Sequence, residues 1–187
     1  MSVVLYDACV LWSAPLRDLL IRLGIAGLVQ AKWTDQILDE VFRTVQGKRP
    51  HLSADALLRT RMMMIRAVRD CLIVDYQGHI PSLNLPDPED RHVLAAAIQG
   101  GVQVIVTFNL KDFPPAQLAS YQIEAMHPDV LLLELLEQAE GRVLRILQEQ
   151  ASALKNPPVA LEDLVGTLQA CGLPRSMARV ESLLGGI

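Results

Sequence analysis

Apolar and polar positions alternate along this chain in a way that separates short buried strands from amphipathic helices. Val3 to Tyr6 is an apolar, β-prone run that stops at Asp7 and is followed by Ala8-Cys9-Val10-Leu11. It predicts a buried first strand with an acid at its C-terminal end. Ser13-Ala14-Pro15 opens a helix, with Ser13 as cap and Pro15 in the first turn. Leu16, Leu19, Leu20 and Leu23 form its apolar stripe, and Gly24 or Gly27 ends it. Thr34-Asp35 caps a second helix whose apolar side carries Ile37, Leu38, Val41 and Val45, with Gly47 and Pro50 closing it. Ser53 starts a third helix that runs to about Arg69. Cys71 to Val74 reads as a short strand or the end of that helix, and Gly78 to Pro86 as loop. Asp87-Pro88 begins the next helix, which Gly100-Gly101 stops. Val102 to Thr107 is the clearest strand, nearly all β-branched and apolar, as suits a central parallel strand buried on both faces. Pro114-Pro115 begins a short turn or helix, Ile123 to Met126 is a last strand, and His127-Pro128-Asp129 is a turn and cap before an amphipathic helix.

This order of elements predicts an α/β sandwich around a small central parallel sheet. In such sheets reactive groups collect beyond the C-terminal strand ends, where Asp7 and Asn109 fall. After about Glu140 the pattern is helical only. Leu161, Leu164, Val165 and Leu168 mark one apolar face, and Met177, Val180, Leu183 and Leu184 another. The expected division is therefore an α/β domain over residues 1–138 and a C-terminal helical extension over 139–187. The last two helices superficially resemble a helix-turn-helix, but Arg175 and Arg179 are their only bases, too few for the usual DNA-binding footprint.

Composition narrows the class. Hydrophobic residues make up 51% and charged residues 20% of 187, enough for a sizeable core and unlike a disordered chain. No apolar run is long enough to span a bilayer, and Met1 to Asp7 lacks the basic segment of a signal peptide. Cys9, Cys71 and Cys171 are odd in number and far apart, which fits small core residues in a reducing cytoplasm. The net charge of -4 conceals a segregated basic stretch between Val41 and Arg69. There Arg43, Lys48, Arg49, Arg59, Arg61, Arg66 and Arg69 face a single acid, Asp55. Such a stretch either attracts phosphates or is simply a solvated helix face.

Several acids stand beside apolar runs: Asp7, Glu40, Asp87, Asp90 and Asp112. Gathered together, they would repel one another, and a hard divalent cation relieves that repulsion. Mg²⁺ (or Mn²⁺) suits oxygen ligands and keeps several waters, so the chemistry implied is metal-assisted phosphodiester hydrolysis. Plainer readings stand beside this one. Asp87 is equally a helix cap, with Asp90 as the acid that a capping box places at its third position. Glu40 alone reads as an ordinary exposed helix acid. His51, His79, His92 and His127 have no zinc-type spacing.

The ordered motifs resemble the PIN-domain family, of the kind found as the toxin of VapBC toxin–antitoxin pairs. Asp7 in Tyr6-Asp7-Ala8-Cys9-Val10-Leu11 corresponds to the first family aspartate, and Glu40 to the acid of the second helix. Asp90 in Asp90-Arg91-His92-Val93-Leu94-Ala95-Ala96-Ala97 corresponds to the aspartate that opens the alanine-rich helix. Val104-Ile105-Val106-Thr107-Phe108-Asn109 is similar to the strand before the fourth acidic position, where many members carry aspartate and this chain carries Asn109. The likeness covers about residues 1 to 130.

The resemblance implies a PIN-like α/β/α fold and a cytoplasmic, divalent-metal-dependent endoribonuclease, inhibited by a cognate antitoxin and often dimeric. It implies that Asp7, Glu40 and Asp90, with Asp87 as a further candidate, hold Mg²⁺ or Mn²⁺, and that Asn109 or Asp112 completes the set and orients the attacking water. Arg43, Lys48, Arg49, Arg59 and Arg61 would dock the RNA backbone, and Thr107 would stand on the substrate side or hydrogen-bond a carboxylate. Two other classes compete with this one. A non-catalytic RNA- or protein-binding module is favoured by Asn109. A haloacid-dehalogenase-type phosphatase needs Asp-x-Asp after the first strand, and Cys9 occupies its second position.

Overall fold

The structure, a computed structural model, describes residues 1–185; the last two residues of the expected extension lie outside it. The first apolar run forms β1 (Val3–Tyr6), with Val4, Leu5 and Tyr6 fully buried. α1 (Ala8–Leu11) and α2 (Ala14–Ile25) follow. β2 (Gln30–Lys32) precedes α3 (Asp35–Lys48), whose cap is Thr34: its hydroxyl accepts from the Ile37 N–H at 3.0 Å. α4 (Ala54–Ala67) is capped in the same way by Ser53. Then come α5 (Arg91–Gln99), β3 (Val104–Val106), α6 (Pro115–Leu118), β4 (Glu124–Met126), α7 (Pro128–Ala153), α8 (Leu161–Ala170) and α9 (Pro174–Gly185).

The four strands form one parallel sheet in the order β2-β1-β3-β4, with helices packed about it. In register, Val4 lies between Ala31 and Val104, and Tyr6 pairs with Val106. β1 and β3 are therefore the central strands. Leu5, Ile105 and Val106 are fully buried there, and each such side chain stabilises the fold by about 2 kcal/mol.

The pattern of the sequence does not predict β2. Gln30-Ala31-Lys32 has no apolar alternation, and it becomes a strand only because β1 offers it a buried edge. The chain stays extended one residue further. Trp33 N–H donates to the Cys71 carbonyl and the Ile73 N–H to the Trp33 carbonyl, each at 2.9 Å. The Cys71 to Ile73 segment thus extends the sheet rather than ending α4. The expected loop near Gly78 contains a 3₁₀ turn over Gln77–Ser82.

α7 consists of two helical stretches that meet at a kink at Ala139 (φ -151°, ψ 47°), next to the expected boundary at residue 138. The extension packs on α2 as well as on α7. Val143, Leu147, Leu164, Leu168 and Met177 belong to the same buried cluster as β1. Ser13, at the N-cap position of α2, makes no cap bond; its hydroxyl lies 3.2 Å from Cys171 Sγ. Gln150 Nε2 donates to the Pro15 carbonyl at 2.9 Å.

The firmest link is Asp129 on α7, buried, which caps a different helix. Its carboxylate accepts from the Arg175 N–H (3.0 Å), the Ser176 N–H (2.8 Å) and the Ser176 hydroxyl (2.6 Å) at the start of α9. Among the described residues no helix is long and apolar enough to cross a membrane.

Removing this carboxylate would take the acceptor from three donors at the start of α9, two of them buried. Asp129→Ala is expected to destabilise the protein by about 3 kcal/mol in urea unfolding, with Asp129→Asn recovering part of the loss. An alanine variant as stable as wild type would show that the cap does not hold the extension.

Candidate active site

Because β1 and β3 run parallel side by side, their C-terminal ends open at one edge of the sheet. Asp7 follows β1 directly, and its N–H donates to the Val106 carbonyl at 3.1 Å. Its side chain is only 5% exposed and is met by donors. Oδ1 accepts from the Ala8 N–H at 2.7 Å, and Oδ2 accepts from the Thr107 hydroxyl at 2.7 Å. Cys9 Sγ lies 3.1 Å from Asp7 Oδ2 and 3.2 Å from Thr107 Oγ1. The Phe108 N–H donates to Cys9 Sγ, and the Asn109 N–H to Thr107 Oγ1 at 3.0 Å. Burial, reinforced by the Asp7 charge, pushes the Cys9 thiol up to about 12, so it stays a neutral S–H.

The second acidic element precedes α5. Asp87 caps the short 3₁₀ turn Pro88–Asp90, accepting from the Glu89 N–H at 2.9 Å. Asp90, next in line, makes no cap bond of its own. Its carboxyl is pushed up to about 6, first by burial and then by the charges of Asp7, Asp87 and Asp112, with His92 acting in the opposite sense. The charges of Asp7, Asp87 and Asp112, from three parts of the chain, thus all reach Asp90, an acidic cluster defined by charge. Asp112, half-buried, is the acid after β3 whose charge reaches Asp90. Asn109 is exposed and takes part through its backbone N–H. Glu40, on α3, is held from α5: His92 Nε2 lies 3.0 Å from Glu40 Oε1.

Two residues expected on the substrate side are otherwise engaged. Thr107 is fully buried and its hydroxyl bonds the Asp7 carboxylate, the second of the two roles expected of it, so it presents no surface to RNA. Arg61 is paired with Asp35 through Nη2 at 2.7 Å and with Asp39 through Nη1. Arg43, Lys48, Arg49 and Arg59 are exposed, and Lys48 Nζ stands 3.7 Å over the Trp12 ring. Sequence reasoning missed Cys9 and His92 as parts of the site. Cys9 reads as a core residue from its sequence context, and His92 lacks any zinc-type spacing. The one available signal is their offset of two residues from Asp7 and Asp90.

Among the described residues, no three His, Cys, Asp or Glu side chains are gathered closely enough to hold a metal ion by themselves. The cluster nevertheless fits a hard divalent ion in charge and in chemistry. Its candidate donors are carboxylate oxygens, Asp90 carries uncompensated repulsion, and Mg²⁺ commonly uses only one or two carboxylates, with water filling the rest of its shell.

A family model described as "PIN domain" matches residues 3–111, more than half of the chain. The chain belongs to the PIN-domain family. A second family model, "VapC50 C-terminal domain", matches residues 128–182, beginning at the first residue of α7. Among curated proteins, "Putative ribonuclease VapC50" of Mycobacterium tuberculosis is 42% identical over 80 residues, which cover 43% of this chain and 47% of that relative. The match thus spans about half the length of the relative. No solved structure matches significantly. The parallel sheet with flanking helices is the PIN-like α/β/α architecture, and the acidic cluster lies at its C-terminal strand edge.

The position of Asp90 in the PIN domain has a consequence for stability. Its carboxyl titrates higher in the folded state than the ordinary value of 3.8, so its contribution to stability is full below about pH 4 and is lost as pH rises through about 6. At pH 7.5 in EDTA, Asp90→Asn is expected to melt at a higher temperature than wild type, and the gain should vanish near pH 4. A lower melting temperature at pH 7.5 would contradict the repulsion.

Proposed function

We propose that this PIN-domain protein is a divalent-metal-dependent endoribonuclease of the toxin type, cleaving RNA phosphodiester bonds in the cytoplasm and restrained by a cognate antitoxin. The observation that carries the reading is the anionic cluster of Asp7, Asp87, Asp90 and Asp112 at the sheet edge. Family membership and the name of the curated relative support the substrate class.

Asp7, Asp90 and Glu40 are the residues that would hold Mg²⁺ or Mn²⁺, with Asp87 divided between this role and its cap. When bound, such an ion polarises a phosphodiester and lowers the pKa of a bound water. Each residue of the chain has a separate task. Thr107, Cys9 and the Ala8 N–H fix the Asp7 carboxylate in one orientation. Asp112, whose charge reaches Asp90, or Asn109, through its neutral amide, would complete the set and orient the attacking water, with Asp112 accepting its proton. Water oxygen bonds to phosphorus as the bond to the departing ribose oxygen breaks, and that oxygen takes up a proton. Arg43, three residues after Glu40 on α3, would dock the RNA backbone together with the exposed Lys48, Arg49 and Arg59. These bases position phosphates without reading sequence. A toxin homodimer belongs to the same reading.

Cleavage of structured RNA is expected with Mn²⁺, to cease in EDTA, and to fall at least about 100-fold in Asp7→Asn. Undiminished cleavage by that variant would reject the mechanism, and Mn²⁺-independent RNA binding without cleavage would favour a non-catalytic module. For the basic surface, replacing Arg43, Lys48 and Arg49 together by alanine should weaken binding of RNA. It should also flatten the dependence of log K on log salt by about 0.7 for each phosphate that is no longer neutralised. An unchanged slope would place RNA elsewhere.

A further inference from the structure

We propose that His92 is a positioning residue: its Nε2–H holds one oxygen of Glu40 so that the other faces the acidic cluster. The proposal rests on the nuclease reading above and assigns a role that the acids alone do not supply. Glu40 projects from α3 with its side chain 31% exposed. A glutamate so placed is free to rotate, and fixing it costs about 1.5–2 kcal/mol of side-chain entropy. His92 sits on α5 two residues after Asp90, is only 6% exposed, and has Nε2 3.0 Å from Glu40 Oε1. An ionised carboxylate only accepts, so the 3.0 Å contact is favourable when Nε2 carries a proton. The bridge therefore ties the helix carrying Glu40 to the helix that Asp90 opens.

The other ring nitrogen separates this role from simple packing. His92 Nδ1 is buried and has no hydrogen-bond partner among the described residues. An unpartnered buried polar atom costs about 1–3 kcal/mol, which a leucine in the same place would avoid. As a core residue the imidazole is thus a poor choice; what it adds over a hydrocarbon is the single N–H aimed at Glu40. With Oε1 held, Glu40 Oε2 is left to serve as a single oxygen toward an ion or its water. Groups that orient metal-bound side chains in this way commonly change metal affinity by about 10–100-fold when removed.

The test measures Mn²⁺ binding by calorimetry on the full chain, together with kcat and KM for RNA. It compares wild type with His92→Gln, His92→Asn, His92→Leu, Glu40→Ala and the His92→Leu/Glu40→Ala double variant. Glutamine can bring its amide N–H near the place of Nε2, whereas asparagine reaches only the place of Nδ1. The expected result is a loss of about 10–100-fold in Mn²⁺ affinity for the leucine and asparagine variants, recovery by glutamine, and no further loss from His92→Leu once Glu40 is alanine. The effect should fall on kcat more than on KM. Should the leucine variant fail to fold, the comparison of glutamine with asparagine decides. Glutamine no better than asparagine, or an equal loss in the Glu40→Ala background, overturns the positioning role. If wild type binds Mn²⁺ and cleaves RNA while the His92 variants match it, only this inference falls. If wild type does neither, the nuclease reading falls and takes this inference with it.

Discussion

Burying the Asp7 carboxylate at the end of β1 would cost several kcal/mol if no donors met it. The donors come from two directions. Ala8 supplies its N–H from the first turn of α1, and Thr107 supplies its hydroxyl from the end of β3. The second is available only because Tyr6 pairs with Val106, which sets the residues that follow the two strands side by side. The parallel pairing of β1 and β3 and the burial of Asp7 therefore depend on each other, and the remaining site is arranged around that pair. Cys9 fills the space between the two polar groups as a neutral thiol, adding a weak donor without a second charge.

Beyond this fixed carboxylate, aspartates from separate parts of the chain act on one another through their charges. The turn before α5 supplies Asp87 and Asp90, and the segment after β3 supplies Asp112. Burial first, and then the charges of Asp7, Asp87 and Asp112, hold the Asp90 carboxyl above its ordinary range. A fold optimised only for stability would not collect them there, because a neutral residue at position 90 removes the cost. On α3, the helix that carries Glu40, Arg43 and Lys48 are exposed, as is Arg49 just after its end.

The C-terminal helices are part of the same body. Asp129 satisfies the start of α9 from another helix, and the apolar faces of α7, α8 and α9 join the core that contains the sheet. Gly172 shows how tight the seam is. Its φ of +100° favours glycine, and an added Cβ would stand 2.7 Å from the Phe108 ring, next to the site loop. The boundary read near residue 138 falls beside the kink at Ala139, where two helical stretches of α7 meet.

Much of this architecture was legible in order of residues alone. The buried runs at Val3 to Tyr6 and Val102 to Thr107 specify central parallel strands, because only a strand covered on both faces can be apolar throughout. Thr34, Ser53 and Asp87 announce their helix or turn starts, because a cap is a local bond between neighbours in sequence. β2 was not legible, since Gln30-Ala31-Lys32 takes its conformation from β1 rather than from its own pattern. Nor were the Glu40–His92 bridge or the Asp129 cap of α9, each joining residues about 50 positions apart, and of the Thr107 bond to a carboxylate only the donor was legible, not that Asp7 accepts it. Sequence by itself determined the element types and which acids stand at element ends, because those follow from short-range periodicity and capping. Only the tertiary structure decided which acids share a pocket, which bases are already paired and what holds each carboxylate, because those depend on distances that chain order does not set.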